Sequence, residues 1–286
     1  MNPLSAAWSR LVPIPPSAAW AAAGLALWCG AALAAAPMPL AAHRALYTLS
    51  LDKANGSSAP ATANGLIAYE FSGSACEGYV SDFRQMTELQ PQEGAARVTD
   101  MRSTTFEDGD AKGFNFKVES VVDGDQAEEV DGKAEKSADG ALAVNLSRPR
   151  KVALSFDRNV MFPTEQIIHI LDAAHGGQST LAVKVFDGSD TGDKVHDTLA
   201  VIGHVSQEVA SEEPAQIDAL KGMRHWPVSV SYFSDDQQDG QPNYILSFDL
   251  YENGISRALK LDYGDFTLKG ELTKLELLPP PAECDK

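Results

Sequence analysis

The sequence predicts an all-β protein, mainly antiparallel, built as a strongly curved β-spiral or open barrel-like sheet with one short helix. Three observations predict this fold: apolar and polar residues alternate with period two, turn dipeptides are closely spaced, and one stretch has helical spacing. Alternation places one face of each strand against a core and the other in water. About a dozen candidate strands at hairpin spacing favour one large meander that curls on itself.

Six segments show the alternation most clearly. They are residues 46–51, 114–119, 142–146, 181–186, 228–232 and 244–251. Nine Asn-Gly or Asp-Gly dipeptides lie along the chain, and each can supply the positive-φ residues of a tight hairpin turn. They begin at residues 55, 64, 108, 123, 131, 139, 187, 239 and 253. The pattern predicts consecutive strands joined by short connections.

The segment 163–177 breaks the alternation and has the spacing of a helix. Thr164 is the candidate N-cap, Glu165 suits the positive end of a helix, and Gly176-Gly177 ends the pattern. The apolar positions between them are Ile167, Ile168, Ile170, Leu171 and Ala174. We expect a single helix of three turns that covers one open mouth of the curved sheet.

The N-terminus differs in composition from the rest of the chain. Arg10 is the single charged side chain within residues 1–36, and residues 18–36 are almost wholly apolar. The small residues at 32–34 complete the pattern of a secretory signal peptide, with cleavage expected after Ala34.

Cleavage at that point divides the chain into a signal peptide, residues 1–34, and a single β-spiral domain, residues 35–286, because no Pro/Gly/Ser-rich linker interrupts the second part. Three alternatives remain open. The chain could be cleaved after Ala36, the apolar stretch is long enough for an uncleaved membrane anchor, and Cys29 could serve a lipoprotein signal, although the bulky Trp28 disfavours it.

The charge balance limits the possible partners. Lysine and arginine number 23 against 40 acidic residues, a net charge of -17, and the sequence pI is near 4.6. Such a surface argues against nucleic acid or an anionic membrane as the main partner. Removing residues 1–34 removes one arginine and no acid, which leaves a balance of -18.

The cysteines predict one disulfide. Of the three in the chain, Cys29 is lost with the signal peptide, and Cys76 and Cys284 remain. An even pair in an exported chain is typical of a disulfide bond, and two free buried thiols are the alternative. So long a loop predicts a stabilisation of about 5 kcal/mol in the chain-entropy model.

An outer-membrane barrel would share the alternation and the acidic character. Several candidate strands are short for that role, and the chain ends in Glu283-Cys284-Asp285-Lys286 instead of an aromatic residue. We therefore favour a soluble domain.

No motif selects a catalytic, cofactor-binding or metal-ligating residue, so we expect no enzymatic activity. The histidines lack the paired spacing of a zinc protease, and the chain has no Gly-x-Ser-x-Gly elbow, phosphate loop or dinucleotide fingerprint. The six histidines are His43, His169, His175, His196, His204 and His225. A hydrolase using two of the scattered carboxylates is the least favoured hypothesis.

Two features suggest ligands but have simpler explanations. The acidic segment 187–193 invites a calcium interpretation, but its spacing is not that of an EF-hand, and a solvated loop is favoured. Trp226 could stack on a ligand, yet a lone tryptophan in a β-protein more often belongs to the core.

Several stretches of the domain together resemble a known family. They are Ala42–Leu51, Ala75–Tyr79, Phe162–Thr164, Phe186–Asp190, Trp226–Val228, Ser231–Phe233, Tyr251–Arg257 and Leu261–Phe266. With these residues the chain resembles the cell-envelope integrity protein EipB family of alphaproteobacteria. The resemblance extends from about residue 40 to Cys284.

The resemblance implies a periplasmic protein with a spiral-like antiparallel sheet and a disulfide between Cys76 and Cys284. It also implies a non-enzymatic role in envelope integrity through a periplasmic protein partner, such as a tetratricopeptide-repeat protein. No catalytic residues or cofactors come with it. The alternative function is a carrier that holds a lipid or another apolar ligand in the concave face of the sheet.

Overall fold

The computed structural model describes residues 39–56, 58–233 and 240–280. The predicted signal peptide, residues 1–34, and Cys284 lie outside the described residues. The described residues contain fifteen strands. They are β1 (His43–Ala54), β2 (Thr62–Ser74), β3 (Gly78–Gln90), β4 (Arg97–Glu107), β5 (Gly113–Val122), β6 (Asp125–Lys136), β7 (Ala141–Arg148), β8 (Val152–Arg158), β9 (Val160–Met161), β10 (Thr180–Val185), β11 (His196–Ile202), β12 (His225–Phe233), β13 (Tyr244–Tyr251), β14 (Ser256–Asp262) and β15 (Phe266–Leu277). The helix α1 (Pro163–His175) and two short 3-10 helices, Glu213–Ala215 and Asp218–Leu220, complete the described elements.

All fifteen strands belong to one sheet, in the order β8-β7-β6-β5-β4-β3-β2-β1-β15-β14-β13-β12-β11-β10-β9. The chain forms two antiparallel meanders, β1–β8 and β10–β15, which are joined by the antiparallel pairing of β1 with β15. The pair β9 and β10 is parallel. The edge strands β8 and β9 are separated in the chain by Asn159 alone, so the sheet curls until its two ends nearly meet. The predicted all-β, strongly curved, barrel-like fold is confirmed.

The alternation predicted from sequence defines the two faces of the sheet. In β1, Ala45, Tyr47 and Leu49 are buried, whereas Arg44 and Thr48 are exposed. Tyr47 and Leu49 are almost completely inaccessible to solvent. Burial of a side chain of leucine size contributes roughly 1.5–3 kcal/mol, so the inward face of each strand provides the main driving force for the curl.

The interior contains two apolar cores. The larger core lies between α1 and strands at both ends of the chain, and it includes Tyr47, Ile170 and Trp226. The smaller core lies within β5–β9 and is filled by Phe162 and Phe186 together with the inward residues of those strands. Trp226 is buried in the larger core, as favoured from the sequence.

The predicted helix is confirmed, but the prediction of Thr164 as its N-cap was wrong. The helix begins at Pro163, and Phe162 occupies the N-cap with an extended backbone. Proline suits the first helical position because its missing N–H would be unpaired there in any case. Thr164 is therefore the second helical residue, and it is buried. Glu165 stands in the first turn as expected and accepts a hydrogen bond from the N–H of Phe162 at 3.1 Å.

The helix crosses one end of the sheet, as the sequence predicts. Its first turn lies against Glu107 at the end of β4, and Gln166 donates a hydrogen bond to the Thr198 hydroxyl in β11 at 3.0 Å. At its other end the ring of His175 lies 5.0 Å from that of Trp226 in β12. Along the described chain, no helix combines the length and the apolar character that crossing a membrane requires.

Candidate functional site

The candidate site is a cavity of about 420 Å³ on the concave side of the sheet, lined in part by residues of the larger core. Its walls come from β1–β5 and β12–β14, and the first half of α1 contributes to one end. Apolar and aromatic side chains dominate the lining. They include Ile67, Phe71, Phe83, Met101, Val118, Ile167, Leu246 and Phe248. An apolar concavity of this size is typical of a small-molecule binding site.

Strand periodicity explains why these side chains converge. In β2, Ile67, Tyr69 and Phe71 are spaced by two residues and therefore share the inward face. In β3, Phe83 pairs with Tyr69 and points in the same direction. The same residues that make the strands recognisable in the sequence thus form the cavity wall.

The cavity is closed near the helix and more accessible at the opposite end. Leu40 and His43, which line the helix end, are 9% and 2% exposed. At the far end Gln85 is partly exposed and donates a hydrogen bond to the hydroxyl of Tyr263 at 3.3 Å. Tyr263 itself is 37% exposed. A ligand would therefore enter at the end away from α1.

His43 has a structural position in this wall. Its Nδ1 lies 2.8 Å from the carbonyl oxygen of Ala41, and its ring packs against those of Tyr69 and Phe71. Burial lowers the pKa of His43, so the imidazole is neutral at pH 7. It presents an aromatic surface to the cavity and no positive charge.

The segment 186–195 separates the cavity from the smaller core. On one side Phe186 packs against Phe114 and Phe116, with ring centroids 6.3 and 5.3 Å away. On the other side Asp187 and Ser189 line the cavity. Residues 187–193 of this segment were expected to form a solvated loop. That expectation is right for the exposed Asp190 and Thr191 and wrong for Gly188 and Gly192, which are buried because they pack with Phe186 against the smaller core.

Asp187 and Ser189, which line the cavity, form a polar group with His196 of β11. Asp187 Oδ1 accepts a hydrogen bond from the Ser189 N–H at 2.9 Å, and Ser189 Oγ lies 3.3 Å from His196 Nε2. The distance from Asp187 Oδ1 to the same Nε2 is 4.0 Å. A catalytic triad needs the carboxylate on the other ring nitrogen. The arrangement therefore offers hydrogen bonds to a ligand, not an activated nucleophile.

The lining of the cavity is poor in charge. Within the part of the chain that the structure describes, no lysine or arginine lines it, and Asp187 is its one carboxylate. Tyr232 lies in the same wall. Burial raises the pKa of its hydroxyl, and the nearby Asp187 carboxylate raises it further. The described lining thus combines mostly apolar side chains with scattered neutral polar groups and a single carboxylate.

Glu107 supports the closed end of the cavity. Its carboxylate accepts hydrogen bonds from the N–H groups of Thr164 and Glu165 at 2.8 and 2.9 Å, so it caps α1 from a distant strand. Burial raises the pKa of Glu107 to about 7, and the two amides oppose that rise. Lys136 pairs with Glu165 beside it.

The cysteine prediction is not tested by the described residues. Cys76 lies in the turn between β2 and β3, and Cys284 falls outside the described part, so the disulfide stays a prediction. The last described residues approach this turn, since Leu278 and Pro279 line the same surface depression as Glu77 and Gly78. Among the described residues, no three His, Cys, Asp or Glu side chains are grouped as a metal site would require.

The sequence analysis did not identify the polar group of Asp187, Ser189 and His196. His196 follows Ser189 by seven positions, and no local motif links them. The available signal was the stretch Phe186–Asp190, which carries part of the family resemblance. The cavity itself was expected only in general terms, as the concave face of a curled sheet.

A family model described as EipB-like matches residues 34–279. The chain belongs to the EipB-like family. Its curated relatives include the cell envelope integrity protein EipB of Brucella abortus (strain 2308), which is 40% identical over 265 residues, 91% of this chain and 94% of the relative.

A solved structure has the same fold. It is the crystal structure of a beta-barrel-like protein of a domain of unknown function from Brucella abortus. The TM-score is 0.80 at 39% identity, over 85% of this chain and the whole of the other. The resemblance found in the sequence is thereby confirmed.

Proposed function

We propose that this EipB-like protein maintains cell envelope integrity as a periplasmic, non-enzymatic protein that binds a periplasmic protein partner. The supporting observation is the match to the cell envelope integrity protein EipB, which extends over 91% of this chain and 94% of the relative. The net charge of -17 supports a protein partner over nucleic acid or an anionic membrane.

Deletion and complementation test the envelope role. We expect a strain without the gene to be hypersensitive to detergents and to cell-wall antibiotics, and the wild-type gene to restore resistance. A variant lacking residues 1–34 serves as the matched control, because it leaves the domain sequence unchanged and removes the proposed export signal. Normal resistance of the deletion strain contradicts the proposal.

Partner binding is tested separately. The tagged protein, crosslinked in intact cells and purified, should retain a tetratricopeptide-repeat protein of the envelope that an unrelated tagged periplasmic protein does not retain. Identical sets of crosslinked proteins for the two baits contradict partner binding, while the deletion experiment still decides the envelope role.

A second function is supported by the cavity. A cavity of about 420 Å³ with mostly apolar walls suits a carrier of a lipid or another apolar ligand. Native mass spectrometry of protein purified from the periplasm should show a bound apolar compound. A mass equal to that of the chain alone, with no uptake on titration with a fatty alcohol, contradicts the carrier function.

Filling the cavity gives a sharper test of the carrier. Leu246 in β13 lines the cavity, whereas the side chain of its neighbour Ile245 points to the other face of the strand. Leu246→Trp should reduce ligand uptake at least tenfold, and Ile245→Trp should leave it near the wild-type value. Equal uptake by both variants would mean that the ligand binds elsewhere.

A further inference from the structure

The cavity of the proposed carrier has an uneven distribution of charge. Neutral polar side chains are scattered through the described lining, among them Ser81, Gln85, Ser103 and Thr105, but its one carboxylate is at Asp187, next to Ser189. A purely apolar ligand would remove water from this carboxylate and offer it no hydrogen bond. An amphiphilic ligand can instead place its chain along the apolar wall and its head group against the polar group.

We infer that the cavity selects single-chain amphiphiles with an uncharged or cationic head group, which Asp187 and Ser189 bind. The inference rests on the proposed carrier function, since it concerns the ligand of the same cavity. A volume of about 420 Å³ lies in the lower part of the range for ligand pockets, roughly 300–1,000 Å³, and so suits one chain better than two.

The sign of the head-group charge follows from the lining. Asp187 places a carboxylate in the wall, and its side chain is 28% exposed, so solvent screens it incompletely. No lysine or arginine among the described lining residues can pair with a carboxylate or phosphate head group. A negative head group would meet a like charge and lose its water without compensation. Head-group hydroxyls can donate to Asp187, and a quaternary ammonium is attracted to it.

Three probes with the same 14-carbon chain test the inference on the mature domain at pH 8. They are monomyristoylglycerol, tetradecyltrimethylammonium and myristate, titrated below their critical micelle concentrations and followed by calorimetry. We expect the neutral and the cationic probe to bind at least tenfold more tightly than myristate. Equal affinities, or tighter binding of myristate, overturn the inference and leave the carrier function intact. No binding of any probe overturns both.

Substitution of Asp187 tests whether this residue causes the discrimination against a negative head group. Asp187→Asn keeps the Oδ1 atom that accepts the Ser189 N–H and removes the charge. In this variant the affinities for the neutral and the cationic probe should come within about threefold of the affinity for myristate. Asp190→Asn is the matched control, because Asp190 is exposed in the same segment and its φ of 52° is one that asparagine adopts readily. An unchanged preference in Asp187→Asn, or the same loss in Asp190→Asn, overturns the assignment.

Discussion

Glu107 accepts a hydrogen bond from the backbone N–H of Thr164 at 2.8 Å, although the two are 57 positions apart in the chain. The carboxylate takes the place of a local cap, because the N-cap residue Phe162 has no side-chain oxygen. Helix α1 is therefore attached at its first turn to the end of β4. This attachment holds the helix across the closed end of the cavity.

Glu107 makes stability depend on pH. Burial raises its pKa to about 7, whereas an unfolded glutamate titrates near 4.5, so the folded state holds the proton more tightly between those values. The free energy of unfolding should fall by up to about 3 kcal/mol as pH rises from 4.5 to 7. Urea denaturation at several pH values measures it. Glu107→Gln stays neutral, so its free energy of unfolding should not show this fall. Parallel pH profiles of the two proteins contradict the prediction.

Arg257 should be among the most sensitive polar residues of the domain. It is 8% exposed, and its guanidinium lies 3.3 Å from Glu212 and 2.7 Å from Asp249. Arg257→Met leaves the buried Glu212 carboxylate without its cation, which should cost about 3–5 kcal/mol of the free energy of unfolding.

The control for that substitution is an exposed ion pair. Arg158→Met breaks the bridge to Asp139, whose two side chains are 64% and 57% exposed, and it should cost less than about 1 kcal/mol. Chemical denaturation compares the two variants. Similar losses would show that the buried network has no special role in stability.

Gly188 should not accept a side chain. Its φ is +72°, and a Cβ built there would lie 2.4 Å from Cδ2 of Phe116. Gly188→Ala combines backbone strain with overpacking and should destabilise the domain by about 2–4 kcal/mol. Gly177→Ala is the matched control, since Gly177 has the same φ but no atom within 4 Å of its Cβ position. A further Phe116→Leu change should recover part of the loss only for Gly188→Ala.

The predicted disulfide should tie the C-terminal tail to the β2–β3 turn. Cys76→Ser should lower the melting temperature markedly, because a bridge that closes a loop of about 200 residues contributes about 5 kcal/mol before strain. Cys284→Ser should have the same effect, and the double variant should be no worse than either single one. Labelling of two free thiols in the oxidised protein would exclude the bridge.

Much of the architecture could be predicted because its cause is local. The alternation in β1 and β13 and the apolar spacing of α1 are properties of neighbouring residues. The start of the helix could not be predicted in the same way. Thr164 has the side chain of an N-cap, but the cap comes from Glu107, and only the folded chain brings the two together.

The candidate site was less accessible to sequence reasoning for the same reason. A solvated loop was expected for residues 187–193 from their acidity, which is correct for Asp190 and wrong for Asp187. The difference arises because Phe186 and Gly188 pack on Phe116, which is 70 or more residues earlier in the chain. Local composition carries no information on such a contact.

The pairing of β1 with β15 has a consequence for how the protein folds. Each meander contains contacts between neighbours in sequence, which form rapidly, but β1 can obtain its second partner only when β15, from the other end of the described chain, is available. Until then two long strand edges stay open to aggregation. We therefore expect the pairing of β1 with β15 to be the slow step of folding.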